Sequence, residues 1–202
     1  MNRFENWFCA SSFWQRVTHR ELLPWLLADV ALGEHVLEVG AGAGAATAEL
    51  QHRAARVTSL EYSEALLGKL VGRHTGRGES GRGAALRGDA TALPFPEQIF
   101  SAVIAVLMLH HLRSREAQER AFAEAFRVLR PSGVFLAVEI QDSWFHRIGH
   151  IRSTFVPVDP AEAPARLTAT GFSAERIAFR HGAFRMQAVR PQAHEGSGRD
   201  AR

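Results

Sequence analysis

With 202 residues, 46% of them hydrophobic and 22% charged, the chain has the size and composition of one globular domain with a substantial core. Its net charge of +3 is carried almost wholly by arginine, Lys69 being the one lysine, which gives no ground for a nucleic-acid partner. The single cysteine, Cys9, excludes an internal disulfide framework and a cysteine metal cluster. No apolar run reaches the roughly 18 residues of a membrane helix, and residues 1–10 lack the basic start and apolar core of a secretory signal, so a cytoplasmic protein without a membrane span is expected.

Phe4, Trp7, Phe8, Phe13, Trp14 and Val17 recur at spacings of three to four, which predicts one or two short amphipathic helices over residues 2–18, interrupted near Ser11-Ser12. A second helix is predicted over 19–30, with Leu22, Leu23, Leu26 and Leu27 on one side and Pro24 marking a kink or a later start. Together, residues 1–31 are expected to form a helical cap over a pocket.

The central stretch is His35-Val36-Leu37-Glu38-Val39-Gly40-Ala41-Gly42-Ala43-Gly44-Ala45-Ala46-Thr47, read as strand, tight turn and helix, the helix running over 43–53. Glycines let the backbone turn sharply and a ligand approach without a Cβ in the way, and the helix start offers N–H groups, so a nucleotide-type site is expected. Gly40, Gly42 and Ala45 also satisfy the dinucleotide fingerprint, which keeps an NAD-dependent oxidoreductase as one alternative. Against it stands Glu38, a carboxylate at a strand end where dinucleotide enzymes carry an apolar residue, and a favourable neighbour for a cationic cofactor. The next strand, 56–61, ends in Glu61, 23 positions after Glu38. An acid there is placed to accept both hydrogen bonds of a ribose diol. Tyr62 follows, either lying against an adenine face or serving as a boundary aromatic.

A helix over 63–72, a glycine-rich loop over 74–83 and a short strand over 84–87 lead to Gly88-Asp89-Ala90. Residues 99–109 are almost unbroken apolar sequence, as a central parallel strand covered on both faces requires. This strand ends in Leu107-Met108-Leu109-His110-His111-Leu112, at the sheet edge where ligands of open α/β folds sit. One of the histidines can take a proton from a substrate hydroxyl or amine. The other reading has them cap the strand and bond backbone, and adjacent side chains point apart, so at most one faces substrate. No third ligand is spaced with them, and no metal is expected.

Ser114 is the predicted N-cap of a helix burying Ala117, Ala121, Phe122, Ala125, Phe126 and Leu129, and a fifth strand follows over 134–140. Trp144, Phe145, His146, His150 and Phe155 then form an aromatic insertion. Asp159-Pro160-Ala161-Glu162 carries the signature of a helix start, with the end near Gly171. Residues 172–179 and 184–189 read as a closing hairpin, and 191–202 as a polar tail. The alternation predicts an α/β, Rossmann-like three-layer sandwich whose seven-stranded sheet is mostly parallel with an antiparallel last strand.

Glu38-Val39-Gly40-Ala41-Gly42-Ala43-Gly44 resembles motif I of the class I S-adenosylmethionine-dependent methyltransferases. Glu61, Asp89-Ala90 and Leu129-Pro131-Gly133 follow in the family's order, so the resemblance spans about residues 32–190. Ser132 replaces the usual first glycine of the last passage, and Ser101 stands where many relatives have aspartate. The resemblance implies in-line methyl transfer from S-adenosylmethionine to a small-molecule acceptor. Glu38 would hold the methionine end, with Gly40, Ala41, Gly42 and Gly44 passing beneath it. Glu61 would bind ribose, Tyr62, Asp89 and Ala90 would meet the adenine, and Leu107 would touch the cofactor from the fourth strand. Acceptor contacts would come from the aromatic insertion, with His110 or His111 as base. The remaining alternative is a cofactor-binding protein of the same fold that is inactive alone or needs a partner. Nucleic acids and arginine side chains are disfavoured as acceptors, because the Asn/Asp-Pro-Pro-aromatic and two-glutamate sequences of those enzymes are missing.

Overall fold

A computed structural model describes residues 11–75, 83–149 and 153–192. The first helix of residues 2–18 and the glycine-rich loop therefore fall partly outside the described residues, and the polar tail almost wholly so. The chain enters through α1 (Ser12–Val17), capped by the Ser11 hydroxyl, which accepts from Trp14 N. It continues without a break through a π-helical turn (Thr18–Leu22) into α2 (Leu23–Leu26). The sequence reading placed two helices here; the structure joins them. Pro24 is the physical reason, because it has no N–H to return to the carbonyl four residues back and its ring crowds that carbonyl. The backbone widens, and Leu23 N donates to Thr18 O, five residues back.

The sheet comprises β1 (His35–Val39), β2 (Arg56–Glu61), β3 (Gly83–Arg87), β4 (Phe100–Val106), β5 (Leu129–Ile140), β6 (Ser173–Arg180) and β7 (Ala183–Val189), in the order β3-β2-β1-β4-β5-β7-β6. β1 to β5 are parallel neighbours, whereas β7 runs antiparallel to both β5 and β6. The fold class is the one read from the sequence. Alternation along the strands divides the core in two. On one face Leu37, Val39, Val103, Ala105 and Phe135 pack with α5 (Arg115–Val128) and α7 (Ala163–Thr170). On the other, Val36, Val57, Ala102, Ile104, Leu136 and Val138 pack with α2 and α3 (Thr47–Arg53). α4 (Glu64–Thr75) covers β2 and β3, and α6 (Trp144–Gly149) follows β5. No helix among the described residues is long and apolar enough to cross a membrane.

Three of the boundaries that differ from the sequence reading lie at backbone irregularities. Helix α3 starts at Thr47 rather than 43, because residues 42–46 remain in turns after the glycines. Strand β4 stops at Val106 because Leu107 takes φ +52° and turns the chain out of the ladder, its N–H donating to Val138 O. Strand β5 begins at Leu129, pairs with Phe100, shifts register, and resumes at Val134. The shift is made at Ser132, whose φ of +62° is a left-handed conformation that glycine adopts without strain. Ser101 takes up the start of β1: its hydroxyl accepts from His35 N at 3.0 Å and donates to His35 O at 2.9 Å.

Ser132→Gly is expected to stabilise the protein. Relief of a left-handed non-glycine residue gains roughly 1–2 kcal/mol, set against about 0.5–1 kcal/mol of extra glycine entropy. The urea midpoint should therefore rise at unchanged slope; a lower midpoint would contradict the strain assigned to Ser132.

Candidate active site

The carboxyl ends of β1, β2, β3 and β4 open into one cavity of about 730 Å³, within the roughly 300–1,000 Å³ usual for small-ligand sites. Its wall takes Glu38 and the turn after β1, Glu61 and Tyr62 after β2, Asp89 and Ala90 after β3, and Leu107, Met108 and His111 after β4. Among the described residues no cluster of three or more His, Cys, Asp or Glu is arranged to hold a metal.

Glu38 is 2% exposed, the deepest of these acids. One oxygen, Oε2, accepts from the hydroxyls of Thr47 on α3 and Ser59 on β2, both at 2.7 Å. Burial opposes ionisation more than the two hydroxyls favour it, and the neighbouring Glu61 opposes it further, so the Glu38 carboxyl is pushed up to about 7 from 4.5. Sequence reasoning missed Thr47 and Ser59; their hydroxyls become partners only when strand and helix come together.

The turn itself is held from within the protein. Gly40 N and Ala41 N both donate to Leu60 O, at 2.8 and 3.1 Å, and Gly44 N donates to Ala41 O at 2.9 Å. Gly42 N donates to Glu61 Oε2 at 2.8 Å, while Ser63 N donates to Glu61 Oε1 at 2.7 Å. These four amides of the turn are engaged inside the fold, so the turn itself contributes close approach. At Gly40, with φ +72°, a Cβ would come within 2.6 Å of Met108 Cβ, whereas at Gly42 it would meet nothing within 4 Å. Gly40 is thus required for packing, and Gly42 leaves the cavity floor open.

Glu61 is 6% exposed, and each of its oxygens retains acceptor capacity beyond its one backbone N–H. Asp89 Oδ1 accepts from Thr91 N and Thr91 Oγ1, both at 2.8 Å. Tyr62 is 60% exposed on the rim. All ten residues read from the sequence as cofactor contacts either line the cavity or belong to its turn. Their chemistry fits S-adenosylmethionine: carboxylates for a diol and an amine, and a deep carboxylate beside a cationic ligand.

The histidines separate. His111 lines the cavity, with Nδ1 3.4 Å from Thr154 O. His110 is 3% exposed and lies outside the lining, with Nδ1 2.5 Å from Oε2 of the fully buried Glu139 on β5. Glu139 Oε1 also accepts from Leu109 N at 2.7 Å, so the pair fastens the β4 turn to β5. Its partner lies 29 residues away, which is why sequence spacing gave no sign of it. The insertion also departs from expectation. Trp144, His146 and Phe155 do not line the cavity. His146 Nδ1 is 2.8 Å from Gln141 O, and Phe155 meets His110 edge to face with ring centroids 5.5 Å apart. Thr154 is the residue from this region that reaches the wall; the Phe145 side chain and His150 lie outside the described residues. From the N-terminal segment, Trp14 and Thr18 line the cavity as well.

The methyltransferase domain family matches residues 37–137, half of the chain. The chain therefore belongs to that family, and its sheet order and site make it a class I S-adenosylmethionine-dependent methyltransferase domain. A probable S-adenosylmethionine-dependent methyltransferase of Mycolicibacterium smegmatis is 30% identical over 85% of this chain and 64% of its own length. The demethylmenaquinone methyltransferase of Thermobifida fusca is 35% identical over 55% of this chain and 45% of its own. The chain thus spans about half to two thirds of these relatives. A solved S-adenosylmethionine-dependent methyltransferase of Aquifex aeolicus shares the fold at a TM-score of 0.75 and 16% identity, over 94% of this chain and 99% of that one.

Glu38 predicts a pH dependence of stability. Its folded value of about 7 lies above the unfolded 4.5, so the native state binds the extra proton between these limits. Its contribution is present below about pH 4.5 and is lost as pH rises to about 7. Glu38→Gln, which keeps an acceptor for both hydroxyls, should therefore stabilise the protein at pH 8 by on the order of 3 kcal/mol, and by little at pH 4.5. Thermal melts at the two pH values check this; a variant destabilised at pH 8 would contradict it.

Proposed function

We propose that this protein binds S-adenosylmethionine along the cavity and transfers its methyl group to a small, partly apolar acceptor. The observation that carries the reading is the convergence of Glu38, Glu61, Asp89 and His111 on one cavity at the carboxyl edge of the sheet. S-adenosylmethionine supplies a methyl carbon on a sulfonium, which is already a good leaving group. Glu61, fixed by Gly42 N and Ser63 N, accepts from the ribose hydroxyls. Asp89, fixed through Oδ1 by Thr91, accepts from the adenine amine through Oδ2, with Ala90 and Tyr62 beside the ring. Glu38 holds the amine of the methionine end. Residues 32–190 form the methyltransferase domain, and Trp14 and Thr18 support assigning the preceding helices as its cap.

The chain's contribution to rate is positioning: a rigid cavity that keeps acceptor and methyl carbon close and aligned. Of the two histidines, His111 is the one at the wall, placed to accept a proton from an acceptor hydroxyl or amine. Trp14, Met108 and Leu112 give the wall an apolar component, in keeping with a ring-bearing acceptor such as the demethylmenaquinone in the Thermobifida fusca relative's name.

Transfer of labelled methyl from S-adenosylmethionine into a panel of quinols and phenols tests the reading. Product above background supports it, whereas cofactor binding with no transfer across the panel contradicts it. In the same assay His111→Gln should lower turnover tenfold or more with product affinity unchanged. His110→Ala should act on stability instead, costing roughly 3–5 kcal/mol by leaving Glu139 buried without its partner. Equal turnover of His111→Gln and wild type would remove the base.

A further inference from the structure

Thr18 is completely buried, lines the cavity, and has an Oγ1 with no hydrogen-bond partner in the protein. Glu175 Oε1 is the other such side-chain atom among the described residues, and it lies on β6, outside the cavity. A buried hydroxyl without a partner is costly, and in a helix a threonine normally gives its proton to the carbonyl four residues back. Here Trp14 O and Gln15 O both accept from the Thr18 backbone N–H, and the hydroxyl bonds neither. Trp14 and Thr18, four apart, both line the cavity, and the π-turn that Pro24 imposes begins at Thr18. Local irregularities of this kind recur at ligand sites.

The place of Thr18 in the fold decides what it meets. The cavity arginines Arg113 and Arg120 flank or belong to α5, which packs on the face holding Ala90 and Leu93, and Arg87 ends β3. Arg113 and Arg120 thus come from the opposite face of the sheet to α2. The segment carrying Thr18 instead runs into α2, which packs with Ala46 and Leu50, beside the Thr47 that holds Glu38. A cofactor with its ribose at Glu61 brings its amino-acid group to that end. Glu38 suits the amine but repels the carboxylate, and the amides of Gly40, Ala41, Gly42 and Gly44 are already engaged.

Resting on the S-adenosylmethionine reading above, we propose that the Thr18 hydroxyl donates to the carboxylate of the cofactor's amino-acid end, making Thr18 a binding residue that senses this end of the ligand.

Calorimetry with two adenosyl thioethers tests this: S-adenosylhomocysteine, which carries the amino-acid chain, and methylthioadenosine, which lacks it. Binding of S-adenosylhomocysteine by the wild type tests the underlying reading, and its failure would overturn both. Given that binding, Thr18→Val should weaken S-adenosylhomocysteine about tenfold, leave methylthioadenosine unchanged, and leave the melting temperature the same or higher, since an unpartnered hydroxyl is removed. Thr18→Ser should retain most of the affinity. Thr18→Val binding S-adenosylhomocysteine within twofold of wild type, or weakening both ligands equally, would overturn the proposal.

Discussion

A carboxylate held under the glycine turn is the constraint on which this structure depends. Glu38 cannot be buried at 2% exposure without donors, and the two it has come from different elements, Thr47 on α3 and Ser59 on β2. Satisfying it fixes the helix that follows the turn against the strand that neighbours it. Glu61 repeats the arrangement one strand over, drawing Gly42 N and Ser63 N onto its two oxygens. Two acids therefore shape the turn between them, and the cavity is the space they leave. Burial keeps Glu38 costly to ionise, so the site is assembled at the expense of stability near neutral pH.

The opposite wall depends on a second buried acid. Glu139 binds His110 Nδ1 and Leu109 N, which stops the chain after β4 from continuing as strand and turns His111 toward the cavity. Leu107 at φ +52° and Met108 against Gly40 belong to the same turn. The adjacent histidines thus divide the work: one is a fastening inside the protein and the other meets the ligand space.

Much of this was legible where it is local. β2 has the bounds read from the sequence, Ser114 caps α5 through Ala117 N, and α7 ends at Gly171. Glu38, Glu61, Asp89 and Tyr62 were legible because strand-end position and residue type agree, and the sheet brings all four to one cavity. What escaped was set by contacts far apart in the chain. The hydroxyls of Thr47 and Ser59, the pairing of Glu139 with His110, and the place of Thr18 in the cavity wall carry no periodicity and no motif. The aromatic insertion misled for the converse reason: aromatic composition suggested a pocket wall, whereas His146 and Phe155 are held within the protein, on Gln141 O and His110.

The most direct measurement is calorimetric titration of the purified protein with S-adenosylmethionine, S-adenosylhomocysteine and NAD in parallel. The account predicts micromolar binding of the first two and none of NAD, because Glu38 under the turn and the engaged amides of Gly40, Ala41, Gly42 and Gly44 leave no donors for a pyrophosphate. Binding of NAD alone would contradict it.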